Sequence, residues 1–132
     1  MTSRRAARRT ALEVLYQADV TDAVPVTVIE EWTQAQKTVP PFARELIGGV
    51  QAHSSQIDRL LDEHAEGWSV QRMTALDRSI MRIAIYELLY EPDVPASVSV
   101  SEAVEAASEL SSEDARRFVN GVLGKIASEV RS

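Results

Sequence analysis

Apolar positions recur with a helical period along the whole chain, and no stretch alternates long enough to read as a strand. The densest stretch is LDRSIMRIAIYELLY, residues 76–90. Ile80, Ile83 and Ala84 fall one turn apart, while Met81, Ile85, Leu88 and Leu89 carry apolar character around to a second face. A helix that is apolar on most of its circumference is buried among others. Thr74 ahead of Asp77 reads as its N-terminal cap and Pro92 marks its end, so this segment is the expected central post of an all-α domain.

The remaining periodic segments surround that post. A first helix is predicted over residues 3–20, with Ala7, Ala11, Val14, Leu15 and Ala18 as one apolar stripe. Pro25 starts a second helix running to about residue 36, with Val28, Ile29 and Trp32 facing inward. Pro40-Pro41 opens a long helix over residues 41–65, in which Gly48-Gly49 signals a close helix contact or a bend. A short turn at residues 69–73 precedes the post. Beyond it, Ser99 with Glu102 reads as a capping box, and Ser111 to Asp114 starts a last helix carrying Val119, Val122, Leu123 and Ile126 on one face. The expectation is a single domain over residues 1–132, formed by an N-terminal helical bundle (1–67) and a C-terminal one (68–132) around one core.

Charge changes this picture at one end. The 132 residues carry 14 basic and 20 acidic groups, a formal net charge of −6. Arg4, Arg5, Arg8 and Arg9 all fall within the first nine positions, so the charge is polarised. Arginines at a helix N-terminus oppose the macrodipole at about a few tenths of a kcal/mol each, so stability alone does not select them. The structural reading is a solvated tail. The functional reading is a phosphate-binding stripe, with Tyr16 on the same sector as a stacking face for a base.

Little else carries chemistry. No cysteine is present, which removes disulfides, thiolate metal sites and cysteine nucleophiles together. His53 and His64 are predicted on one helix about 16 Å apart at 1.5 Å per residue, too far for one metal ion. No phosphate loop, dinucleotide fingerprint or catalytic constellation is evident, so no enzyme activity, cofactor or metal is expected. No apolar run reaches membrane-spanning length, and the expected compartment is the cytoplasm. Glu30, Glu31, Glu102, Glu105 and Glu109 read as solvated faces. Glu87, inside the apolar post, is either an acid with a raised pKa or the partner of an ion pair or hydrogen bond at the bundle edge. Phe118 sits at the border of the last apolar stripe, as the lip of the core or as an exposed anchor. Gly121 and Gly124 weaken that helix unless something packs closely against them.

Four blocks together resemble one family. The arginine-rich helix ending in ALEVLYQAD, the post LDRSIMRIAIYELLY, the connector DVPASVSVSEAVEAASEL and the segment FVNGVLGK occur in the order and spacing of the NusB antitermination factors. The resemblance spans nearly the whole chain. It implies two perpendicular three-helix bundles, about seven helices in all, and a non-enzymatic RNA-binding protein. Such a protein joins NusE, a small ribosomal subunit protein, on the single-stranded box A element of ribosomal RNA leaders, within the RNA polymerase antitermination complex. Residue by residue, it implies RNA contact by Arg4, Arg5, Arg8 and Tyr16. Arg9 and Arg82 are further RNA candidates. Asp77, Asp114, Arg117 and Phe118 match the partner surface, with Phe118 placed against NusE, RNA or both. Monomer and homodimer both remain open.

Two other functions compete. One is the NusB-like domain of a ribosomal RNA cytosine methyltransferase, which needs a catalytic domain and a cysteine nucleophile that these 132 residues do not hold. The other is a protein-only helical scaffold in which the arginines are incidental.

Overall fold

A computed structural model describes residues 3–131. Among them are seven α-helices and one 3-10 turn, with no strand. The helices are α1 (Arg4–Thr21), α2 (Pro25–Gln34), α3 (Pro41–Ala52), α4 (Ser54–His64), α5 (Ala75–Tyr90), α6 (Ala96–Leu110) and α7 (Glu113–Val130), and the turn Val70–Arg72 precedes α5.

The segment richest in apolar residues is the most buried helix. Every residue of α5 from 79 to 88 is buried except Arg82, and Met81 and Ile85 are fully enclosed. Five helices pack on it: α1, α3, α4, α6 and α7. The first three helices touch one another, and so do α5, α6 and α7, while α4 lies against α3, α5 and α7. One continuous core joins these groups, with Val14, Leu46, Ile57, Leu61, Leu123 and Ile126 meeting around the post.

Local signals set most of the helix ends. The Ser3 side chain accepts the Ala6 N–H to start α1, and Asp22 ends it in the left-handed region at φ 56°. Thr74 caps α5 by accepting the Asp77 N–H at 3.1 Å. At the far end of α5, Arg131 donates to the carbonyl oxygens of Glu87, Leu88, Glu91 and Val94, tying the end of α7 to the end of α5 and the connection after it.

Three expectations need correction, and the glycines settle alternatives left open. The long helix over residues 41–65 is two helices, broken at His53, whose ring stacks on Tyr90 at 4.1 Å. His53 therefore lies between helices, and His64 points elsewhere, its ring nitrogens meeting the Leu60 carbonyl and Glu129. Ser99 does not cap α6, because the helix already begins at Ala96 and Ser99 is buried, its hydroxyl donating to Glu87 at 3.3 Å. The cap of α7 is Ser112, which accepts the Ala115 N–H at 3.0 Å. Finally, no neighbour fills the space beside Gly121 or Gly124, whereas a methyl at Gly49 would overlap the Tyr86 ring. The Gly48-Gly49 pair thus marks a close contact between α3 and α5 at its second member alone.

Candidate nucleic-acid and partner interface

The four arginines of α1 divide into two pairs. Positions 4 and 8 are one turn apart, as are positions 5 and 9, and the two rows are separated by roughly 100° around the axis. Arg4 and Arg8 turn toward α3, their guanidinium carbons 4.5 Å and 5.7 Å from the centre of the Phe42 ring. Arg5 and Arg9 turn toward α6.

Arg8 belongs to the interior. Its guanidinium forks onto both carboxylate oxygens of Glu87 at 2.8–3.1 Å, leaving 11% of the side chain exposed against 1% for Glu87. Burial alone would lower the arginine's pKa, but the hydrogen bonds and charge of Glu87 outweigh it and the net shift is upward. Glu87 is therefore the paired group among the alternatives the sequence left open, and the pair is buried, away from the bundle edge. The placement ties Arg8 inward: its Nε and one Nη are engaged by Glu87 of α5, and little of the side chain reaches solvent.

The other three arginines stay accessible. Arg4 meets Asp93 at 3.2 Å, Arg5 meets Glu102 at 3.4 Å and also Glu105, and Arg9 meets Glu109 at 3.1 Å. The hydrogen bond to Glu105 and the charge of Glu102 raise the pKa of Arg5. These bridges are screened by solvent and add little to stability, and a phosphate oxygen can replace a carboxylate in the same fork geometry. Tyr16 is exposed and shares the sector of Arg5 and Arg9, eleven and seven residues along the same helix.

Arg82 lies apart from this face. It forks onto Asp58 at 2.8 Å on both contacts and approaches Asp19 at 3.8 Å, tying α5 to α4 and α1. Arg78 makes a similar tie to Asp19 at 2.7 Å.

A second feature forms where α5 and α7 begin. The groove there has a volume of about 300 Å³ and is lined by Trp68, Met73, Asp77, Asp114 and Phe118 among others. Phe118 is half-buried, packed on the core from one side and open to the groove on the other, which joins the two readings its position allowed. Asp77 places one carboxylate oxygen in a buried position with no hydrogen-bond partner among the described residues. Asp114 is almost fully exposed, and Arg117 reaches toward it and Glu113 at 3.9 Å without closing a tight bridge. The structure thus gathers Asp77, Asp114, Arg117 and Phe118 at one end of the molecule.

Sequence reasoning missed two contributors. Trp68, half-exposed at the groove edge, lies between two helical segments and outside every apolar stripe, so periodicity does not mark it. The glutamates of α6 were dismissed as solvated, although positions 102, 105 and 109 share one face at three- and four-residue spacing.

Several residues could hold a phosphate, but no group of three or more metal-ligating side chains occurs among the described residues. None of the described helices is long and apolar enough to cross a membrane.

Comparison with known proteins gives one consistent result. The NusB family model matches residues 5–128. The transcription antitermination protein NusB of Salinispora arenicola is 43% identical over 131 residues, covering 96% of each chain. Among solved structures, NusB of T. maritima superposes with a TM-score of 0.87 at 35% identity, covering 97% of this chain and 92% of that one. A structure of antitermination factors NusB and NusE in complex with double-stranded RNA gives a TM-score of 0.84 at 25% identity, with 96% of each chain covered.

Proposed function

The chain belongs to the NusB family, and from that premise we propose that it is a transcription antitermination factor that binds the single-stranded box A element of ribosomal RNA leaders jointly with NusE. It is a non-enzymatic adaptor of the cytoplasm, delivering RNA to the RNA polymerase antitermination complex. The two halves of the domain divide the work: residues 1–67 present the RNA-binding sector and residues 68–132 the partner groove.

The observation that carries the reading is the exposed sector of α1, where Arg5 and Arg9 share a face with Tyr16. Guanidiniums neutralise phosphates, and a phenol ring stacks an unpaired base, which is how single strands are held. Arg4, half-exposed on the neighbouring row, adds a further guanidinium at the helix start. Arg8 and Arg82 serve it indirectly, holding α1 and α5 in place. Phe118 is the aromatic anchor of the NusE groove. Asp77 and the exposed Asp114 line the groove and favour a basic residue from the partner.

The test is fluorescence anisotropy on a labelled box A oligonucleotide, with and without NusE, between about 50 and 200 mM salt. Binding is expected to strengthen with NusE and weaken with salt, and Arg5→Ala with Arg9→Ala to flatten the salt slope by about 0.7 per lost phosphate contact. Unchanged binding by that double variant refutes the assignment of the sector.

A further inference from the structure

The arginine face carries its own competitor. Four guanidiniums, Arg4, Arg5, Arg8 and Arg9, meet five carboxylates, Asp93, Glu87, Glu102, Glu105 and Glu109, so the face has a local charge of −1. An approaching anion meets no attractive field until some of these pairs open. Resting on the RNA-binding reading above, we infer that Glu102, Glu105 and Glu109 of α6 act as an internal phosphate mimic that sets the affinity threshold of the RNA site.

The geometry separates this arrangement from casual surface pairing. Arg5 pairs with Glu102 and Glu105, and Arg9 with Glu109, so successive arginines along α1 meet successive glutamates along α6. The bridges cross a cleft between α1 and α6 walled by Arg9, Leu12, Ile83, Glu102, Ala103 and Ala106. Stability does not require them. The apolar floor of the cleft and the buried Arg8–Glu87 pair already fix α1 on α5, and exposed bridges add little to that. What the glutamates do control is access to the guanidiniums, since carboxylate and phosphate compete for one fork of donors.

A ligand must therefore displace two carboxylate sets at once to engage Arg5 and Arg9. A strand with consecutive phosphates can do so. A mononucleotide offers one replacement and leaves the second pair shut. The glutamates thus favour a polyanionic strand over small phosphates, and they hold RNA affinity low in the absence of a partner.

The experiment compares wild type with Glu102→Gln/Glu105→Gln/Glu109→Gln in box A RNA binding, in the presence of NusE. A charge control, Glu30→Gln/Glu31→Gln/Glu63→Gln, removes the same number of charges from exposed positions on α2 and α4. The α6 variant is expected to bind at least about tenfold tighter at low salt, with a steeper salt slope by about 0.7 for each guanidinium freed. The control should change affinity less than about threefold, and Arg5→Ala/Arg9→Ala in the α6 variant should erase the gain. Uridine monophosphate should compete against the α6 variant at lower concentration than against wild type. A thermal melt matching wild type shows that the substitutions leave the fold intact. If wild type binds and the α6 variant binds no tighter, or the control gains equally, the inference is overturned while the proposed function stands. If neither protein binds RNA with NusE present, the proposed function fails and takes the inference with it.

Discussion

The arginine face of α1 and the groove between α5 and α7 are both recognition surfaces, built on opposite principles. On the first, each of the four guanidiniums already has a carboxylate, so binding means exchange of partners. On the second, a half-buried Phe118 and a half-exposed Trp68 stand open beside the Asp77 and Asp114 side chains, so binding means filling a vacancy. Exchange is nearly neutral in enthalpy and sensitive to salt. Filling an apolar vacancy removes surface from water and responds little to salt. A protein whose RNA surface is self-satisfied and whose partner surface is not should take the protein partner first.

The sharpest way to break the comparison lies within the arginine row. Arg8→Ala strands the Glu87 carboxylate inside the post with only Ser99 beside it, and should cost about 3–5 kcal/mol on denaturant unfolding. Arg5→Ala and Arg9→Ala, made at exposed bridges, should each leave the unfolding curve close to that of wild type. Equal losses at Arg8 and Arg5 would mean that the exposed bridges are structural, and that the row cannot be divided as its burial suggests.

Phe118→Ala addresses the other surface. A fully buried phenylalanine costs about 3–5 kcal/mol when truncated, whereas a half-buried one at a groove lip should cost about 1–2 kcal/mol. NusE affinity should fall at least about tenfold, read by calorimetry or anisotropy. A full core-sized stability loss with unchanged partner binding would assign Phe118 to the interior and empty the groove of its anchor.

The sequence announces these features unequally. The post was legible because its apolar positions cover most of the helix circumference, a pattern that only burial explains. The break at His53 was not, because Val50 and Ile57 are seven residues apart, close to two helical turns, and the apolar stripe stays in phase across the interruption. The arginine cluster stood out by position alone, but its division into one enclosed arginine and three accessible ones depends on where α5 and α6 place Glu87, Glu102 and Glu109. Those partners lie at least 79 residues away in the chain. Ser99 was misassigned for the same reason: a serine ahead of a glutamate looks like a cap until the distant carboxylate that binds it is known. Periodicity reports which face is buried, and it is silent about which charge meets which.

A smaller effect tests whether the outer arginines are the ones that exchange partners. Arg5→Ala and Arg9→Ala, made singly, should weaken box A binding by about threefold to tenfold at low salt and converge on wild type as salt rises, since only the screened contact has been removed. NusE binding in the absence of RNA should be unchanged for both, because the groove lies on the other half of the domain. Loss of NusE binding would couple the two surfaces and remove the contrast between them.

The smallest expected effect concerns the excess of negative charge where α5 ends beside Arg4. Burial raises the pKa of Glu91 above that of an ordinary carboxyl, the charges of Glu45 and Asp93 push it the same way, and Arg4 offsets only part of this. The folded chain therefore keeps the Glu91 proton to a higher pH than the unfolded chain does. Between the ordinary carboxylate value and the raised one, the folded state binds more protons, so this group's contribution to stability falls as pH rises through that window. Glu91→Gln removes the falling component, and melting curves should show the variant slightly more stable than wild type at neutral pH and equal to it in acid, where Glu91 is neutral in both states. A loss of stability at neutral pH would show that ionised Glu91 is needed by Arg4, and that this end of the arginine face is short of negative charge where the geometry gives it a surplus.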